Sequence, residues 1–560
     1  MNLKLKARLV MLIFLILAFF SLVAARCSSP ADTPAEVEPG EVSEPVPDPA
    51  EEARKLQEEW NRRNEELKEE LGQFYVPLYP LEKPENPRVK VKALYLTGHT
   101  VAHPRYAEIL EMIENSELNA VVIDIKDDHG RMTYHSDIEI VNEIDAYYKP
   151  VPIGDIRATL ADLRARGIYT IARIVVFKDP YLARQKTEWA IHRKEGGLWT
   201  EKGVAWINPY MEEVWDYNIA IAKEAALLGF NEIQFDYIRF PENAARVDRE
   251  ATYYNQNGRS KDEAIAGFLK KARQELADYN VYIAYDVFGV IATSWGDHDN
   301  IGQIWETFTR EADYICPMIY PSHYGKGYFG FAVPDANPGG TITRALTDAL
   351  KRNAAVKNPA IIRPWLQSFT ATWIEGHIPY GPAEVRRQID AALALGIDEF
   401  MIWNPDNVYQ AGSFLTDAEA EQRAEAVRRE RESKGHDFLG RSAREAVEAY
   451  LEAIKNKDWR EAYALQSGGF TVDGNRYRDW LNGASGRLAA WTVRPGGQNG
   501  DTATMELELT VTLGGEEITL EGEKWTARQE NNVWRIEPSA RFLELLEGSQ
   551  GGGGGGEEEK

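Results

Sequence analysis

Cysteine is the scarcest residue in this 560-residue chain, occurring only at Cys27 and Cys316. Cys27 lies near the N-terminus, and Cys316 lies inside the apolar run Tyr314-Ile315-Cys316-Pro317-Met318-Ile319. That usage implies neither a disulfide framework nor a cysteine-based metal site, and Cys316 reads as a buried, inert thiol. Positive charge is also short: 64 Lys and Arg face 88 Asp and Glu, a formal net charge of -24. Nucleic acid is therefore not an expected partner, because phosphate binding needs a basic surface. Docking on an anionic membrane face is disfavoured for the same reason, whereas a neutral or cationic substrate suits the charge. No glycine-rich phosphate loop follows the first candidate strand, where Tyr95-Leu96-Thr97-Gly98-His99-Thr100 stands, which weighs against a dinucleotide-binding sheet. A Gly-x-Ser-x-Gly elbow is missing too, which lowers esterase and protease readings. His99, His103, His129 and His135 follow no zinc-binding spacing, so no metal and no cofactor is expected.

What is present is a large apolar share, 44% with 15 tryptophans, in a chain long enough for two folded domains plus unstructured extensions. Residues 1–27 hold Lys4, Lys6 and Arg8, an apolar stretch from Leu9 to Val23, then Ala24-Ala25-Arg26-Cys27. This is the make-up of an export signal or membrane anchor. Cys27 resembles a lipobox cysteine, with Arg26 where that pattern has a small residue; cleavage after Ala25 and an uncleaved anchor stay open. The expectation is an extracellular or cell-surface monomer, touching membrane only through this segment or a lipidated Cys27. Residues 28–50 are rich in proline and acid and read as a tether, and 51–88 as a charged helix with a lead-in. From 89 to 412 strand and helix patterns alternate eight times, which predicts an α/β fold, a (β/α)8 TIM barrel. Glycines follow several of its helices, at Gly167, Gly229 and Gly396. Residues 413–437 read as a helical linker. Residues 438–547 read as a small α+β module, with one helix from Ser442 to Ala464 and alternating strands after it. Residues 548–560 are a Gly/Glu tail.

In such a barrel the reactive groups sit at the C-terminal ends of the strands. The most informative segment is the fourth strand, Gln234-Phe235-Asp236-Tyr237-Ile238-Arg239-Phe240-Pro241. It carries one carboxylate to the end of an apolar run, where burial is costly unless the group serves a site. An ion pair of Asp236 with Arg239 is the plain structural alternative. The fifth strand, Ile283-Ala284-Tyr285-Asp286-Val287-Phe288-Gly289, places Asp286 at an equivalent level. Two carboxylates on neighbouring strands match glycosidic bond cleavage, one as acid and one as nucleophile or base. Asp236 and Asp286 are thus the expected catalytic pair, with Asp297, Asp299 and Glu306 in reserve. Substrate contacts are expected from Asp124 and Lys126, which a period of two puts on one strand face, and from Arg173, Arg239, Tyr320, Trp365, Gln367, Trp403 and Asn404. Arg173 is expected to neutralise the carboxylates. Of Trp199, Trp206, Trp295, Trp365 and Trp403, two or three should line a cleft and the rest should be core.

Strand four resembles the Asp-Tyr-Ile-Arg-Phe/Tyr-Pro signature of a bacterial family of glycoside-hydrolase-like barrels, a domain of unknown function in the glycosidase barrel clan. Val122-Ile123-Asp124-Ile125-Lys126-Asp127, Arg173-Ile174-Val175-Val176-Phe177-Lys178-Asp179, Tyr285-Asp286-Val287-Phe288-Gly289, Pro317-Met318-Ile319-Tyr320-Pro321 and Trp403-Asn404-Pro405 match as well. The resemblance spans Lys90 to Tyr409 and implies that Asp236 acts as nucleophile. Family 18 chitinases are matched less well, since their fourth strand closes on a glutamate. The C-terminal module is similar in pattern to NTF2-like domains. The sequence reading is an exported glycoside hydrolase whose partner is a carbohydrate polymer. Its alternatives are a non-catalytic carbohydrate-binding barrel and a metal-dependent hydrolase.

Overall fold

The computed structural model describes residues 49–547 apart from 81, 295, 355, 435, 438–439, 467–480, 484–486, 514 and 531–532. The expected export segment with Cys27, the tether up to residue 48, Trp295 and the tail from residue 548 lie outside the described residues. Among the described residues no helix is long and apolar enough to cross a membrane. The chain divides into two compact units, 1–58 and 59–560. The first contributes the opening of helix α1 (Pro49–Leu71), where Lys55 reaches Glu51 at 2.8 Å and Leu56 is exposed, as on a solvated helix. In the second unit, Trp60 donates its indole N–H to the Tyr79 carbonyl at 2.7 Å. Asn64 Oδ1 accepts from the Tyr75 hydroxyl and the Leu78 N–H.

Eight parallel strands follow. They are β1 (Lys92–Leu96), β2 (Ala120–Lys126), β3 (Tyr169–Val175), β4 (Glu232–Asp236), β5 (Tyr282–Phe288), β6 (Tyr314–Met318), β7 (Ile361–Ile362 and Trp365–Gln367) and β8 (Phe400–Trp403). Each pairs with the next, and β8 returns to β1 through Lys92↔Phe400 and Ala93↔Met401, so the sheet closes into a barrel. The break in β7 falls at Arg363-Pro364, where proline has no N–H for the ladder. A helix follows every strand in turn: α2 (Arg105–Glu114), α3 (Ile156–Ala165), α4 (Glu212–Leu228), α5 (Lys261–Leu276), α6 (Trp305–Glu311), α7 (Pro338–Ala354), α8 (Pro382–Ala394) and α9 (Asp417–Lys434). This is the (β/α)8 barrel that the alternation predicts. Gly229, at φ 105°, ends α4 in the left-handed conformation that glycine adopts without strain, and its N–H bonds back to Ala225 and Ala226.

The strands read as nearly continuous apolar runs because both of their faces are covered. Leu94, Val121, Ile123 and Ile233 face the helices, while Ala93, Tyr95, Val122, Ile171, Ala284 and Met401 fill the barrel. At the N-terminal end of the barrel, the fully buried Arg363 donates to Glu232 at 2.7 and 3.1 Å and to Glu399 at 3.3 Å. Its guanidinium lies 3.6 Å over the Tyr314 ring. Arg363 therefore belongs to the base of the barrel and not to its mouth.

Beyond α9, helices α10 (Ala443–Lys455) and α11 (Trp459–Leu465) precede an antiparallel sheet of β9 (Leu488–Asn499), β10 (Thr502–Leu513), β11 (Glu516–Glu530) and β12 (Val533–Glu537), followed by α12 (Ala540–Glu547). The expected single helix from Ser442 to Ala464 is two. Lys457 turns left-handed at φ 61°, and the Asp458 side chain accepts from the Glu461 N–H to start the second. Along β10, Ala503, Met505, Leu507, Leu509 and Val511 are buried and alternate with exposed or half-buried neighbours. Lys351 of α7 pairs with Glu461, which also accepts from Arg441 at 2.9 Å, so the module is tied to the barrel wall by charge.

Candidate active site

The C-terminal ends of the strands surround a cavity of about 680 Å³. Each wall comes from a different strand, so the site depends on barrel closure and not on any local motif. At its centre lies Arg173 of β3. Its Nη1 donates to Asp124 Oδ1 at 2.6 Å, its Nε and Nη2 to Asp236 Oδ2 at 3.1 and 2.5 Å, and its Nε stands 3.9 Å from Asp286 Oδ2. One planar guanidinium thus bridges three carboxylates, a geometry that a lysine could not reproduce. The Tyr95 hydroxyl donates to Asp124 Oδ2 at 2.5 Å, and the Trp365 indole N–H donates to Asp286 Oδ1 at 2.7 Å. Asp286 Oδ2 is buried without a hydrogen-bond partner among the described residues.

The carboxylates differ in their electrostatics. Burial, reinforced by the charge of Asp236, holds Asp286 well above the usual carboxylate range, against the pull of Arg173 and Trp365. Asp124 is pushed up to about 6 by burial, with Arg173 and Tyr95 opposing. Burial would lower the pKa of Arg173, but Asp124 and Asp236 outweigh it and raise it well above its ordinary value. Burial thus favours the protonated form of Asp286, beside a second carboxyl of different surroundings. Asp236 Oδ1 accepts from the N–H of Tyr237 at 2.5 Å, and Tyr237 sits at φ 53°, an uncommon conformation for a tyrosine. The chain turns sharply there, directly after the carboxylate.

Tyr320, Trp365, Trp403 and Arg239 also line the cavity. Tyr320 stacks on Trp403 at 5.1 Å and 28°. Arg239 pairs with Glu242 at 2.8 Å and lies 4.4 Å over the Phe288 ring; the partner of Asp236 is Arg173, not Arg239. Burial lowers the pKa of His323, leaving a neutral imidazole on the wall. Of the aromatic candidates, Trp365 and Trp403 face the cavity. Trp199 is core, bonded to Glu250 at 3.1 Å, and Trp206 packs on Tyr237.

Three expected substrate contacts lie away from the cavity lining. Lys126 does not share a face with Asp124: Asp124 pairs with Arg173 and Lys126 with Ile174, so Ile125 is an extra residue, a bulge that turns Lys126 outward. There it is fully buried, 2.7 Å from Asp179 and 3.1 Å from Asn218. Gln367 is spent on the frame beneath the mouth, donating to Asp335 and Phe369 and accepting from the Ser322 N–H. Asn404 closes the turn after β8, accepting from Asp406 and Val408 N–H and donating to Ser368. Among the reserve acids, Asp297 accepts three backbone N–H groups of its own loop, Glu306 pairs with Arg352, and Asp299 lines the cavity. Tyr95 and Glu242 were not singled out by sequence. The alternation Ala93, Tyr95 facing inward could have found the first, and the acid directly after Pro241 the second. Asp127, Asp128 and His129 converge within 4.8 Å, but Lys178 already meets Asp128 at 2.8 Å and Tyr148 bonds Asp127.

A family described as "putative glycosyl hydrolase domain" matches residues 93–409, the span that holds the barrel and the Arg173 cluster. The chain belongs to this family. No curated protein matches it. Among solved structures it is similar to a hypothetical protein from Ruminiclostridium thermocellum, with 39% identity over 35% of this chain and 97% of that one, TM-score 0.32. It is similar to an alpha-L-fucosidase from Paenibacillus thiaminolyticus, with 16% identity over 62% and 50% of the two chains, TM-score 0.37. The glycoside hydrolase domain of PgaB (BpsB) from Bordetella bronchiseptica gives 13% identity over 61% and 98%, TM-score 0.39. The assignment rests on the family match.

Proposed function

We propose that the protein is an exported glycoside hydrolase that cleaves a polysaccharide outside the cell, with Asp286 as acid and Asp236 as nucleophile. The observation that carries the pairing is their shared contact with Arg173, which keeps the two Oδ2 atoms within about 7 Å of each other. A separation under that ceiling is compatible with the roughly 5–5.5 Å of a double displacement, the route taken here. In the first step an Asp236 oxygen bonds to the anomeric carbon as the glycosidic C–O bond breaks. The proton of Asp286 passes to the departing oxygen. A water then attacks the glycosyl ester, returns one proton to Asp286, and releases the sugar with its original anomeric configuration. Arg173 stabilises the carboxylate that each half-reaction leaves behind.

Membrane contact is assigned to the N-terminal segment or Cys27 alone, and the barrel is taken to act as a monomer. Reducing-sugar release from a panel of polysaccharides tests the chemistry. The wild type is expected to turn over at least one, and Asp236→Asn to lose about 10³-fold or more. Turnover untouched by Asp236→Asn refutes the assignment. A second reading, a non-catalytic carbohydrate-binding barrel, is favoured by the bonds that occupy both Asp236 oxygens. Binding of a glycan without turnover at any pH would select it.

A further inference from the structure

A line of aromatic rings leaves the cavity at one side. Trp403, stacked on Tyr320 inside the site, meets Phe369 edge-on at 5.1 Å and 85°. Phe369 stacks on Trp373 at 6.0 Å and 18°. Trp373 is 69% exposed, more than any other large hydrophobic residue among those described. An indole so far into water has no part in the core, and tryptophan is a residue type enriched at contact surfaces. The loop that carries it is held firmly. The Tyr380 N–H bonds Thr370, the Tyr380 hydroxyl donates to the Asp335 carbonyl, His377 bonds Ile374 and Lys326 pairs with Glu375 at 2.6 Å. Trp373 is therefore presented as a fixed surface, within about 11 Å of the Trp403 ring.

We infer that Trp373, backed by Phe369, is an outer binding platform for a sugar ring of the same glycan chain that crosses the Asp236–Asp286 site. This rests on the glycosidase reading of the cavity and narrows it. The substrate is a chain of several residues, bound along the side of β7 and β8, and not a lone terminal sugar or disaccharide. A flat indole face recognises pyranoses through a patch of C–H bonds on one side of the ring, so the chemistry selects a chain of pyranose residues. Continuity of the ring line with the cavity is what commits the platform to this occupant.

Hydroxyethyl cellulose, laminarin and glycol chitosan serve as polymer probes, and p-nitrophenyl β-glucoside as the short one. In the full chain, Trp373→Ala is expected to lower kcat/KM on the responsive polymer about tenfold, leave the short glycoside unchanged, and recover in Trp373→Phe. In parallel, polymer affinity is measured on Asp236→Asn with and without Trp373→Ala, so the platform is read without turnover. Weaker binding in the double variant while the wild type hydrolyses nothing keeps the platform and removes the enzymatic reading. Hydrolysis of polymer and short glycoside alike, both untouched by Trp373→Ala, removes the platform and keeps the enzyme. Absence of binding and turnover with every probe overturns both.

Discussion

Replacing Arg173 by methionine tests the electrostatic account of the site most directly. Methionine keeps most of the apolar stem and removes the charge. The variant leaves Asp124 and Asp236, which the guanidinium contacts at 2.6 and 2.5 Å, buried beside Asp286 without their counter-ion. Removing one partner of a buried ion pair costs about 3–5 kcal/mol, and that loss is expected at pH 7.5. The pH dependence follows from the sign of the shifts. Asp124, at about 6, and Asp286, well above its ordinary 3.8, hold their protons longer folded than unfolded. Their contribution to stability is therefore lost as pH rises from the ordinary value through the folded one, by about 1.4 kcal/mol per unit for each group. Arg173 pulls both values down and so limits that loss. Without it the loss runs further, so the deficit of Arg173→Met grows toward alkaline pH and shrinks toward acid. Urea unfolding of wild type and variant at pH 7.5 and 4.5 measures both deficits. A deficit equal at the two pH values, or none at pH 7.5, would refute the bridged cluster.

The remaining expectations concern single contacts. The kcat/KM of the wild type should fall on the alkaline side as Asp286 loses its proton. Asp286→Asn should abolish that limb and lower kcat about 10²- to 10³-fold. Because the Trp365 N–H lowers the pKa of Asp286, Trp365→Phe should move the limb to higher pH; a move to lower pH would contradict the bond at 2.7 Å. Lys126→Met strands the buried Asp179 and should cost about 3–5 kcal/mol in denaturant unfolding while KM stays fixed. Asn404→Ala removes the acceptor for the Asp406 and Val408 N–H groups and should cost about 1–2 kcal/mol without changing the pH profile.

The barrel was legible because parallel strands covered on both sides write long apolar runs, and because glycines such as Gly229 close its helices. The polar ends of those strands could be named, yet not their directions. A period of two put Lys126 beside Asp124, and only the bulge at Ile125, which leaves no mark in the residue pattern, separates them. Gln367 and Asn404 illustrate the same limit, since an amide at a strand end either meets a ligand or satisfies the backbone of the next loop. Tyr95 hid because an aromatic in an apolar run reads as core; its ring is buried there, and only the hydroxyl turns to Asp124. The break at Lys457 was hidden because the apolar pattern Tyr450, Leu451, Ile454, Trp459, Tyr463 runs across it, outweighing the capping residue types Asn456 and Asp458.

The ionic layer of Arg363, Glu232 and Glu399 beneath the strands turns the barrel into a well rather than a tunnel. The floor beside Asp286 is closed toward the base of the barrel, because the apolar interior, the Tyr314 ring and the ionic layer lie beneath it. Arrival and departure then share one doorway. On the proposed reading a freed sugar that lingers there blocks the next substrate, so release from the floor becomes the natural brake on turnover, and simple products should compete directly with substrate for the same opening.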